Sequence, residues 1–157
     1  MRMSSVRVYV FPAEPTDPLK LKNSLVKHRA KALQKELFVR FGLQYRLTGN
    51  YRRGFIRLTS KRTNQRSEIL FYFCKRNKGI YVQEILLPPF RRRQGIGTFI
   101  VNWLKNFAQE FGLRYIVLVS RPEAESFWDK MNFAQISFEE ALEKYPWMSS
   151  IPTCFQK

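Results

Sequence analysis

Histidine and cysteine are scarce in this chain: His28 stands alone, and Cys74 and Cys154 are the only thiols among 157 residues. With His28 as the only histidine, a Ser-His-Asp or Cys-His mechanism is not expected. Two cysteines 80 positions apart, with no Cys-x-x-Cys and no histidine cluster, read as reduced core thiols and offer no metal site. Long apolar runs are missing as well, since none approaches the ~20 residues of a membrane helix. The first residues, MRMSSVRVYVFPAEP, interrupt their apolar positions with Arg7 and alternate as a strand does. They lack the continuous apolar centre of a secretory signal, so a cytoplasmic protein with no membrane contact is expected.

Acid is scarce in one region. Residues 18–109 hold 21 Lys and Arg against Glu36, Glu68 and Glu84, a net +18, while the rest holds 7 basic and 9 acidic residues, a net −2, which gives +16 overall. A field of that sign favours a polyanionic partner, whether nucleic acid, an acidic protein surface or a phosphorylated cofactor.

Against these shortages, the chain is 45% hydrophobic and 15% aromatic, enough to build a core, and its length suits one domain spanning 1–157. VRVYVFP (6–12) alternates as a half-buried strand and is closed by Pro12, Pro15 and Pro18. From about Leu19 to Phe41, the positions Leu25, Val26, Leu33, Leu37, Phe38 and Phe41 keep helical spacing, and Gly42 is a natural stop. A turn is expected near TGN (48–50). GFIRLTS, EILFYFCK and IYVQEILL then read as three strands of an antiparallel meander. Ile96, Phe99, Ile100, Trp103, Leu104, Phe107 and Phe111 recur at the spacing of one buried helix face, ended by Gly112. LRYIVLVS (113–120) reads as a central strand buried on both faces. A short helix over 123–131 behind Pro122, the strand FAQIS, an acidic helical stretch at 138–144 and an extended piece near 149–156 complete the reading.

The chemistry concentrates in residues 88–99, PPFRRRQGIGTF. A strand ending at Leu87, a loop, and a helix beginning near Gly95 place unpaired backbone N–H groups at a helix N-terminus, where anions bind. Gly95 and Gly97 let phosphates approach the backbone without meeting a Cβ, and the arginines add charge-assisted hydrogen bonds. A diphosphate needs this arrangement; an ordinary turn with a glycine pair is the alternative. A P-loop is excluded because no Gly-Lys-Ser/Thr follows, and a dinucleotide fingerprint because Ile100 stands at its third glycine.

Arg92-Arg93-Gln94-Gly95-Ile96-Gly97 matches Arg/Gln-x-x-Gly-x-Gly/Ala, with Pro89 three residues before Arg92. Ala124, Phe127, Lys130 and Phe133 match a second block, Ala-x-x-Phe-Tyr-x-Lys-x-Gly-Phe, beyond the next strand. With these two blocks, over roughly residues 80–133, the chain resembles the GNAT superfamily of acetyl-CoA-dependent N-acetyltransferases. The resemblance implies an α+β fold in α/β/α layers, with a mixed, mostly antiparallel, splayed central sheet flanked by helices. It implies acetyl-CoA (or CoA) as cofactor. The pyrophosphate would lie on the amides of Arg93, Gln94, Gly95, Ile96, Gly97 and Thr98 beside Arg92, and the pantetheine arm along Leu86 and Leu87. Arg121 and Phe127, from the second block, join the cofactor set, and the thioester would lie in the splay between IYVQEILL and YIVLV.

Glu84, the sole acid in its strand, is the candidate base for the attacking amine; its other reading is an ion-pair partner for a nearby arginine. The usual tyrosine of the second block is replaced by Trp128, which donates a hydrogen bond but is no acid at neutral pH. Arg121 stands where Asn is common and Asn132 where Gly is usual. Tyr81, Ser120, Ser126 and Tyr145 are the available hydroxyls. Two functions remain: an acyltransferase acting on a primary amine, or a catalytically weakened module of this fold that binds nucleic acid through its basic region. The field disfavours a polyamine acceptor and favours an anionic or nucleic-acid-associated one, protein or RNA-linked. Arg52 to Arg66, with six basic residues and no acid, reads as a phosphate-tracking surface or as strands with solvated faces.

Overall fold

The computed structural model describes residues 7–15, 17–62, 66–88, 91–92 and 94–150. Its strands are β1 (Arg7–Pro12), β2 (Tyr45–Asn50), β3 (Phe55–Ser60), β4 (Glu68–Cys74), β5 (Gly79–Leu86), β6 (Tyr115–Ser120) and β7 (Ala134–Ser137). Its α-helices are α1 (Asn23–Phe41), α2 (Ile96–Glu110), α3 (Glu125–Lys130) and α4 (Phe138–Lys144), with short 3-10 turns at Pro122–Ala124 and Pro146–Ser150. The strands form one sheet in the order β2-β3-β4-β5-β6-β1-β7. Every neighbouring pair is antiparallel except β5 and β6.

Strand alternation sorts the side chains into two cores. In β4, Ile69, Phe71 and Phe73 are buried while Leu70, Tyr72 and Cys74 are half-buried. The first set joins Ile56, Leu58, Ile80 and Leu118 beneath α1 and α2. On the opposite face Val8, Val10, Tyr81 and Val117 pack against Phe138, Ala141 and Met148. α2 builds its side of the larger core from an aromatic stair: Trp103 stacks on Phe107 at 5.2 Å, and Phe107 meets Phe111 at 4.8 Å.

Four expectations are corrected. The helix begins at Asn23 and not near Leu19, because the Leu19 amide is bonded to the Glu110 carbonyl at 2.7 Å and holds the chain extended. Phe38 is 51% exposed, and the fully buried Ala30 completes the helix face in its place. Residues 48–50 are not a turn but the end of β2, paired with β3 from Tyr45↔Ser60 to Asn50↔Phe55, so the meander has four strands. The end of the tail, at Pro146–Ser150, is helical and not extended; the remaining residues of that stretch lie outside the described ones. Cys74 is a free, half-buried thiol, and Cys154 lies outside the described residues.

Candidate active site

The site begins with a break in the sheet. The parallel register of β5 and β6 runs from Gly79↔Tyr115 to Val82↔Leu118 and stops. Against β4, Leu70 pairs with Glu84 and Phe71 with Val82, so Gln83 is an extra residue that bulges β5. A bulge bends its strand and tightens its twist. Past it, β5 follows β4 to Leu86↔Glu68, while β6 follows β1 to Ser120↔Arg7. The two strands part, and a cleft opens between them.

Glu84 is the first β5 residue beyond the bulge, and Arg121 is the first residue after β6. Arg121 Nη2 donates to Glu84 Oε1 at 2.6 Å, so an ion pair ties the two sides of the cleft together. Its carboxylate side chain is only 18% exposed and its guanidinium side chain 54%. Of the two readings of Glu84, the ion pair with an arginine is the one seen here, at the point where β5 and β6 part.

The loop after β5 leads to the N-terminus of α2. Gly95 holds φ 81° and ψ 4°, a left-handed conformation that disfavours any residue with a Cβ. The N-cap residue, Gly95, has no side chain to cap this end, and no acid stands in the first turn. The amides of Ile96, Gly97 and Thr98 have no acceptor within the helix. Ile96 is buried in the core, so only its backbone is offered, while Gln94 and Thr98 are exposed. A Cβ on Gly97 would lie 3.4 Å from Cζ of Phe127, so this glycine also admits the α3 ring against the first turn of α2.

The two described arginines of the loop, Arg91 and Arg92, are placed differently. Arg91 turns away from α2 and donates through Nη2 to the Phe41 carbonyl at the end of α1, where a cation also complements the helix dipole. Arg92 is exposed beside the loop. Arg93 and Pro89 lie outside the described residues. Leu86 and Leu87 are half-buried, and the Leu86 carbonyl accepts from Ser67 Oγ at 2.9 Å.

Trp128 is buried, edge-on to Phe127 at 5.0 Å and against Phe133 at 5.0 Å, so the replacement for the usual tyrosine belongs to the core. Of the candidate hydroxyls, Ser120 Oγ donates to the Arg121 carbonyl at 2.8 Å, Tyr81 is buried in the smaller core, and Tyr145 packs on Tyr115 at 4.4 Å. Ser126 is exposed on α3. Sequence reasoning missed Tyr9. On β1 its backbone pairs with Leu118, the last residue of the β5/β6 register, and its side chain is buried in the larger core with its hydroxyl beside Asp129. Burial, and then Asp129 and Glu125, push its pKa above the ordinary tyrosine value, so it stays protonated. No local pattern around Tyr9 signals this, because the pairing joins residues more than a hundred positions apart.

The described basic residues of 52–66 are spread along β3 and its flanking turns. Arg52 and Arg53 sit in the turn between β2 and β3, Arg57 is ion-paired with Glu68, and Arg62 lies past the far end of β3. No helix among the described residues is long and apolar enough to cross a membrane.

The sequence model of the acetyltransferase (GNAT) family matches residues 25–133. Among solved structures, the chain is similar to a functionally unknown conserved protein from Staphylococcus epidermidis ATCC 12228, with 14% identity and a TM-score of 0.46 over 83% of this chain and 57% of that one. It thus spans little more than half the length of that protein. An aminoglycoside acetyltransferase from an uncultured soil metagenomic sample, in complex with sisomicin, has 12% identity and a TM-score of 0.39 over 80% of this chain and 85% of that one. A possible acetyltransferase from Clostridium difficile 630 has 12% identity and a TM-score of 0.39, covering 80% and 89% of the two chains. No curated protein matches the chain.

Proposed function

Because the chain belongs to the acetyltransferase (GNAT) family, we propose that it transfers an acetyl group from acetyl-CoA to a primary amine on an anionic or nucleic-acid-associated acceptor. The observation that supports this most is the α2 N-terminus that follows β5 past its parting from β6, with the left-handed Gly95 as N-cap and no acid in its first turn. Such an end suits the pyrophosphate of the cofactor, with Arg92, Gln94, Gly95, Gly97 and Thr98 and the Ile96 amide around it. Leu86 and Leu87 would line the pantetheine arm, and Phe127 and Arg121 would close the far side.

Bound acetyl-CoA supplies an activated thioester. An attacking amine must lose a proton, and Glu84 is the acid placed to take it. Oε1 of Glu84 is occupied by Arg121, so Oε2 is the atom for that proton, directly or through one water. Arg121 orients the carboxylate across the cleft. Position 128 offers no phenol to the departing thiolate, so the proposed reaction relies on a thiolate that leaves unaided. The positive field of residues 18–109 concentrates an anionic acceptor and repels a polyamine.

The test is thermal unfolding with and without acetyl-CoA, paired with free-thiol release over a panel of amines, peptides and tRNA. Stabilisation with thiol release on one anionic class supports the proposal. Stabilisation without turnover on any acceptor makes the chain a binding module, and an unchanged midpoint at millimolar acetyl-CoA rejects the cofactor assignment.

A further inference from the structure

A groove lies at the opposite end of β5 from the cleft, where the β2/β3 and β4/β5 turns come together. It is an open groove of about 690 Å³. One turn brings Arg52 and Arg53, the other Lys75 and Arg76, and no Asp or Glu is among the lining residues. All four cations are exposed. Between them lies an aromatic floor: Phe55 and Tyr72, with ring centroids 5.9 Å apart, face the half-buried Trp147. The groove is built firmly. Gly54 is buried, with its amide bonded to Asn50 O at 2.8 Å and its carbonyl accepting from Phe73 N at 2.7 Å. Trp147 Nε1 donates to the Tyr115 hydroxyl.

Cations alone would suit any polyanion, and an aromatic floor alone would suit any apolar ligand. Paired walls of positive charge around half-buried rings that line the groove suit a chain that carries phosphates at its edge and flat bases at its centre. We infer that this groove binds single-stranded nucleic acid, with phosphates on Arg52, Arg53, Lys75 and Arg76 and bases stacked over Phe55, Tyr72 and Trp147. The five residue steps of β5 from Gly79 to Glu84 separate it from the catalytic cleft by about 16 Å of strand, so strand binding and acyl transfer occupy different surfaces. The inference stands on the groove and not on the acyl-transfer proposal, and it is read by binding without turnover.

The experiment is fluorescence anisotropy of labelled dT12 and rU12 across a salt series from 50 to 300 mM, using the full chain. Four neutralised phosphates give a slope of about −2.8 in log affinity against log salt. Arg53→Glu combined with Arg76→Glu, one exposed cation from each wall, should flatten the slope by at least half and weaken binding roughly tenfold or more at 50 mM. Tyr72→Leu and, separately, Phe55→Leu should weaken binding by roughly tenfold with the slope unchanged, because a stacking face is lost and no charge. Lys31→Glu with Lys35→Glu, on the exposed side of α1, should leave both unchanged. Uridine monophosphate in excess should displace the oligomer poorly, and saturating acetyl-CoA not at all. The inference is overturned by no binding at 50 mM salt, by loss in the α1 variant but not in the groove variant, or by displacement with acetyl-CoA. It is also overturned if poly-glutamate competes as well as dT12 and the ring variants change nothing, which would assign the groove to an acidic protein.

Discussion

Substituting Gly97 by Asp separates the fold from the anion site, because the structure gives its two effects opposite signs. The new Cβ meets the edge of the Phe127 ring at 3.4 Å, a contact that a shift of a few tenths of an ångström relieves. A carboxylate in the first turn of α2 also gains about 0.3–1 kcal/mol from the helix dipole, in a turn that holds no acid now. The stability of the free protein should therefore stay within about 1 kcal/mol of the parent. Binding responds differently. At an effective dielectric constant of ~20, each ligand charge within about 5 Å of the carboxylate costs ~3 kcal/mol, so a single one raises Kd by roughly a hundredfold. At a cofactor concentration of about 100 Kd, the parent gains ~2.7 kcal/mol, and a Kd raised a hundredfold cuts the gain to ~0.4 kcal/mol. At roughly 2–4 °C per kcal/mol for a chain of this size, a Tm shift of about 5–11 °C should fall to about 1 °C. Differential scanning fluorimetry with acetyl-CoA reads both quantities, and Gly97→Ala is the control, with the same Cβ and no charge. An Asp variant with the full parental shift would refute the placement of the anion on α2, and an Ala variant that loses as much as Asp would make the cause steric.

Gly79→Ala should destabilise, because a Cβ there would fall within the Tyr115 ring, which is packed on Tyr145 and bonded by Trp147. Overpacking costs about 1–3 kcal/mol, visible in urea unfolding, and combining it with Tyr115→Leu should recover part of the loss. Glu84→Gln should lower turnover in the thiol-release assay and remove the acidic limb of its pH profile, while leaving the acetyl-CoA Tm shift in place; full activity from pH 6 to 9 would leave Glu84 only its ion pair. The Tyr115 hydroxyl, buried first of all and despite the Trp147 hydrogen bond, has its pKa pushed up to about 12. The folded state then holds this proton more tightly than the unfolded state, so its stability contribution is intact below pH ~10 and is lost as pH rises towards 12. Tyr115→Phe should flatten that alkaline decline in denaturant titrations.

Local signals made much of this protein legible. The 3-and-4 spacing from Ile96 to Phe111 predicts α2, and Ile96, Ile100, Leu104 and Phe107 are buried as that spacing requires. The glycine-arginine loop before α2 is legible for the same reason: glycines at two fixed positions, arginines before them and an apolar helix after them are neighbours along the chain. β2 was missed because Thr48, Gly49 and Asn50 have turn chemistry, and their pairing with Phe55, Ile56 and Arg57 overrides that preference. Phe38 was misassigned because a helical period defines a face but not how wide a stripe its neighbours cover, and Phe38 is at the uncovered margin.

By itself, then, the sequence determined the helices, most strands, the surplus of positive charge and a glycine at the start of α2, all of which depend on residues within a few turns of each other. Tertiary structure decided where those pieces meet. It inserted β1 between β6 and β7, which brings Tyr9 to Leu118, and it bulged β5 at Gln83 so that Glu84 could reach Arg121 across the cleft. It split the arginines of 52–66 between opposite ends of β3 and joined Arg52 and Arg53 to Lys75 and Arg76 from another hairpin. The physical reason is that charge and periodicity belong to single residues and short windows, whereas a cleft or a groove is a coincidence of distant segments. Sheet register alone fixes that coincidence.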